Sequence, residues 1–138
     1  MKSYLLKLSW MVGLMLAPVV ATAADSPLAA QMEMVNTAVK TFHTEKDPDK
    51  GAAAAREAQQ AVLKATTILP GSVAKIADPA AKAKAAAEFR LMLGKLFVTF
   101  CEVERAYLDK DLEQVAKLGE ALKAHKKAGH GRFMEDED

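Results

Sequence analysis

The chain is 138 residues long and carries 19 basic against 18 acidic side chains, a formal net charge of +1. That balance excludes the strongly basic footprint of a nucleic-acid-binding surface, and the length suits one domain. Cys101 is the single cysteine, so no internal disulfide can form and the fold must rest on its apolar core or on something bound inside it.

Residues 1–23 read as a cleaved secretory signal. Lys2 and Lys7 precede an apolar run from about Leu8 to Val20, and Ala21-Thr22-Ala23 places small residues where a signal peptidase reads. The run is shorter than the roughly 20 apolar residues a membrane span needs. Cleavage after Ala23 leaves one exported domain, 24–138, starting Ala24-Asp25, with no membrane attachment. With Lys2 and Lys7 gone, 17 basic residues face 18 acidic ones, a net charge near −1.

The remainder is rich in Ala, Lys, Glu, Leu and Val and poor in strand formers, which predicts an all-α fold. Ser26-Pro27, Asp47-Pro48 and Asp78-Pro79 each set a capping oxygen before a proline suited to the first helical turn. Asp109-Lys110-Asp111 marks a fourth start, and Pro70-Gly71 a break. Helices are therefore expected over about 27–44, 48–68, 79–108 and 111–130. Short connections predict an antiparallel up-down-up-down four-helix bundle. Leu28, Met32, Val35, Val39 and Phe42 form the apolar face of the first helix. The second offers mainly alanines. Phe89, Met92, Leu93, Leu96, Phe100, Val103 and Tyr107 line the third, and Leu112, Val115, Ala116, Gly119 and Leu122 the fourth.

His130 follows Leu112 by 18 residues, five full turns, so it is expected to share that inward direction, whereas His125 is expected to point into water. Met32 lies near the start of the first helix and His130 near the end of the last, which the bundle topology places at one end. A thioether opposed to an imidazole in apolar surroundings is an axial pair that haem iron accepts. The acidic tail Glu135-Asp136-Glu137-Asp138 reads as a solvated end, or as a feature steering toward a basic redox partner.

These residues also carry a resemblance. Glu88-Phe89-Arg90, the run Leu122-Lys123-Ala124-His125-Lys126-Lys127-Ala128-Gly129-His130, and Leu28, Met32-Glu33 and Asn36 after Ala24-Asp25 resemble the soluble cytochrome b562 family of Gram-negative periplasms. The resemblance spans nearly all of 24–138 and is strongest over 89–130. It implies one non-covalent b-type haem per chain with Met32 and His130 as axial ligands, and a pocket lined by Leu28, Val35, Asn36, Val39, Phe89 and Leu93. Lys126 stands where the family often carries an arginine, and Met134 where it carries another, so a propionate loses a bidentate partner there; Arg132 is the substitute. No Cys-x-x-Cys-His motif is present, which excludes covalent attachment. The function so implied is single-electron transfer to a redox protein partner, by a monomer, with no enzyme activity. Two other readings are a haem-free periplasmic binding or chaperone-like bundle, and a copper or zinc binder using Met32, Met34, His43, His125 and His130.

Overall fold

The structure, a computed structural model, describes residues 26–134. The expected signal over 1–23, the start Ala24-Asp25 and the acidic tail 135–138 lie outside the described residues.

All regular structure among the described residues is helical: α1 (Pro27–Phe42), α2 (Pro48–Ala65), α3 (Gly71–Ala74), α4 (Pro79–Leu108) and α5 (Leu112–Phe133). Each long helix starts on a side-chain cap. Ser26 accepts from the Ala29 N–H, Asp47 from Asp49 and Lys50, Asp78 from Ala81 and Asp111 from Gln114. Each cap satisfies backbone donors that no helical carbonyl can reach. Between α4 and α5, Lys110 takes a positive φ of 60°, which reverses the chain in three residues. The structure differs from the sequence reading in several places. The first and second helices end at Phe42 and Ala65, before the expected 44 and 68; the one-turn helix α3 fills part of the connection after Pro70; and α5 runs past Gly129 and Gly131 to Phe133.

The alanine face of α2 decides the packing. Ala52, Ala55, Ala58, Ala61, Val62 and Ala65 are all essentially buried. Short side chains bring α2 close against α4, and these two helices share the most extensive contact in the fold. Arg56 meets Glu104 at 2.8 Å and Gln59 meets the same carboxylate at 2.7 Å. Farther toward the start of α2, a Cβ placed on Gly51 would run into the Tyr107 ring. Residue numbers rise along α2 as they fall along α4.

The α1 end joins this core through Phe42, whose ring lies 6.1 Å from that of Phe100 and 5.9 Å from that of Tyr107. Tyr107 is fully buried, and its hydroxyl donates to the Glu45 carbonyl at 3.2 Å, tying the α1–α2 connection to the end of α4. Along α5, contacts with α4 also run in opposite sense: His125 with Thr99, Gly129 with Met92, Arg132 with Glu88. α1 meets α5 far more sparsely than it meets α2.

Candidate functional site

The position of Met32 follows from its helix. On one flank of α1, Ala30, Met34, Thr37, Ala38 and Thr41 face Ala54 and Glu57 of α2 across a groove. Met32 precedes Met34 by two residues and so lies about 160° round the helix from it. It is half-buried, packs against the core beside Val39, and occupies the flank away from α2. Val35 is buried between the two flanks, and Asn36 is half-buried on the Met32 side.

On α5 the orientation is fixed by what touches α4. His125 Nε2 lies 3.4 Å from Thr99 Oγ1, the Met92 methyl lies against Gly129, and Arg132 pairs with Glu88 at 2.8 Å. His130 comes one residue after Gly129, about 100° farther round, and so does not face α4. Lys126, one turn earlier, shares its flank.

The Glu120 carboxyl on α5 is held below its usual range, chiefly by the hydrogen bond from Lys123. Met32 lies in the second turn of α1 and His130 in the last turn of α5, where it is exposed.

Two expectations are corrected here. His130 does not project into the interior, and His125 does not point into water: it is half-buried against α4. The cause is the reference residue. Leu112 and His130 do share a direction, but Leu112 is 39% exposed and Ala116 is exposed as well. The buried face of α5 is Val115, Leu118, Gly119, Leu122 and Phe133, centred about 80° away from Leu112.

The other expected residues fall as follows. Phe89 and Leu93 are buried on α4, Leu28 is half-buried and packs on the core, and Lys126 is exposed. Phe133, which the sequence reading left outside the helix, caps this end of the core, its ring 5.3 Å from Phe89 at 74°. Continuing the run Leu118, Leu122, His125, Gly129 by one more turn reaches it. Arg132 is committed to Glu88 and lies over the Phe133 ring. The five side chains of the copper or zinc reading are not gathered. Met34 is on the α2 flank of α1, and His43 caps the far end of α1, 11 residues and about 16 Å along the helix from Met32.

A b-type haem needs two axial donors, apolar walls and cations near its carboxylates. This end carries a thioether at Met32, an imidazole at His130, the apolar residues Leu28, Val35, Val39, Phe89 and Leu93, and a cation at Lys126, residue types that suit the group. In comparisons with known proteins, no protein-family model matches the chain and no curated protein matches it.

Proposed function

We propose that the chain is an antiparallel up-down-up-down four-helix bundle that binds one non-covalent b-type haem at the α1–α5 seam and transfers single electrons in the periplasm. What supports this reading is that Met32 lies near the start of α1 and His130 in the last turn of α5, two helices that meet each other. Met32 would hold the group through its thioether and His130 through its imidazole. Phe89, Leu93, Val35, Val39 and Leu28 would exclude water from the ring, Asn36 would complete the α1 wall, and Lys126 would meet a propionate as a point charge. Bound there, the haem would supply a one-electron couple, with both donors taken from the chain. This favours a carrier over an enzyme, with a redox protein as the partner.

The test is a haem titration of the purified protein, followed by visible absorption in the oxidised and dithionite-reduced states. A saturable one-to-one signal with sharp reduced bands, lost in His130→Ala and altered in Met32→Ala, is expected. His125→Ala should retain the signal, because that imidazole is turned to Thr99 on the α4 side. Loss of the signal in His125→Ala but not in His130→Ala would move the ligand to the other histidine. No saturable signal would leave a haem-free binding protein.

A further inference from the structure

We propose that the outward face of α4 is a self-complementary docking surface for a second copy of this chain, giving an antiparallel twofold dimer. This stands independently of the haem reading. Ala87, Leu91, Gly94 and Val98 recur every three or four residues on the side of α4 turned away from α2 and α5. Leu91 and Val98 are 61% and 56% exposed, which leaves two large apolar side chains unpartnered on one stripe. Nothing lies within 4 Å of a Cβ placed on Gly94, so a second backbone can approach closely there.

The charges beside the stripe specify the occupant. Lys95 and Glu102 are exposed on the same flank, seven residues and therefore about 10.5 Å apart, beyond pairing distance within the helix. Among the described residues neither side chain is in an ion pair. A twofold axis perpendicular to two antiparallel helices brings like flanks together. With that axis beside Val98, Lys95 meets the partner subunit's Glu102, and Glu102 meets the partner subunit's Lys95. The same axis lays Val98 on its own copy and Leu91 under the aliphatic stem of the partner subunit's Arg105. A parallel pairing would instead set the Lys95 flank against the opposite flank, where Arg90 stands, and bring cations together. One face that satisfies itself twice over is what an isologous contact requires.

A single helix pair is a small interface, at or below the low end of specific association, so the dimer is expected to form at micromolar rather than nanomolar concentration. The experiment is sedimentation velocity on the purified protein from low micromolar to about 1 mM, with far-UV circular dichroism confirming that each variant is helical. A concentration-dependent doubling of mass is expected. Val98→Asp should abolish it. Lys95→Glu alone, or Glu102→Lys alone, should weaken it by about tenfold or more, and the two swaps together should restore it. A wild type that stays monomeric throughout overturns the proposal. So does a dimer that survives Val98→Asp, or one that the double swap fails to restore.

Discussion

Gly51→Ala sets two effects of opposite sign against each other at one position. In an ordinary helix interior this change stabilises by about 0.5–1 kcal/mol, because glycine loses more backbone freedom on folding. At Gly51 the added methyl has no room: it would run into the ring of Tyr107, which is fully buried and fixed by its hydroxyl bond to Glu45. Displacing a packed ring costs about 1–3 kcal/mol, and losing the hydroxyl bond adds about 1 kcal/mol. The steric term wins, and a net destabilisation of about 1–3 kcal/mol is expected in urea unfolding followed by far-UV circular dichroism. Gly119→Ala is the control. That glycine is also helical, but nothing lies within 4 Å of its added Cβ, and a gain of about 0.5–1 kcal/mol is expected. In a Tyr107→Leu background the ring is gone, so Gly51→Ala should become neutral or stabilising, a coupling of about 2–3 kcal/mol. If Gly51→Ala stabilises as Gly119→Ala does, or costs the same with and without the tyrosine ring, the close approach of α2 and α4 is not what fixes their spacing.

Two further outcomes follow from the same interface. The Glu104 carboxyl is held below the ordinary range by hydrogen bonds from Gln59 and then Arg56. A depressed folded-state value contributes stability that is present above the unfolded value, near pH 4, and is lost as pH falls through the folded value. Glu104→Gln should therefore cost about 1–2 kcal/mol at neutral pH and almost nothing near pH 3; a difference constant across that range would exclude the charged hydrogen bonds as its source. Tyr107→Phe removes only the hydroxyl donated to the Glu45 carbonyl and should cost about 1 kcal/mol in the same unfolding assay, whereas an unchanged midpoint would show that the α1–α2 connection is not tied down through this bond.

The helix starts were legible because each is written locally. A Ser or Asp one residue before Pro27, Pro48 or Pro79 needs no knowledge of the partner helix, and the same holds for Asp111. The core faces of α1 and α4 were legible for a related reason: Val35, Phe42, Phe89, Phe100 and Tyr107 are large enough that only burial suits them. The fourth long helix was harder. Its polar and small residues leave two directions about 120° apart with similar apolar content, one through Leu112 and Ala116, the other through Leu118 and Leu122. Leu112 sits in the first turn, where a leucine can stay 39% exposed beside an open connection. Extending the period to Phe133 separates the two, but it has to run through Gly129 and Gly131, and glycine weakens a helix. Those glycines are tolerated because Phe133, Arg132 and the Ser72 hydroxyl hold the last turn from outside it.

That outside support links the fold to the candidate site. His130 lies in the last turn of α5, and among the described residues its side chain makes no hydrogen bond or ion pair, so its direction is set by what holds that turn. Three contacts act there. The Ser72 hydroxyl donates to the Phe133 carbonyl at 2.6 Å, Arg132 pairs with Glu88, and the Phe133 ring packs on Phe89. The Arg132–Glu88 side chains are 58% and 38% exposed, which limits that pair to about 0–1 kcal/mol. The buried ring is the larger contribution: Phe→Ala in a core costs about 3–5 kcal/mol, and a helix end that can relax lowers this to about 2–3 kcal/mol. Phe133→Ala should therefore release the last turn while leaving the rest of α5 in place. Amide exchange should accelerate over 130–133, with residues 115–122 keeping their protection. Under the proposed ligation the same variant should bind haem more weakly than its overall stability loss predicts, because His130 no longer has a fixed direction. Retained protection over 130–133 would mean that Arg132 and Ser72 suffice to hold the turn, and the aromatic pair would then have no part in aiming the histidine.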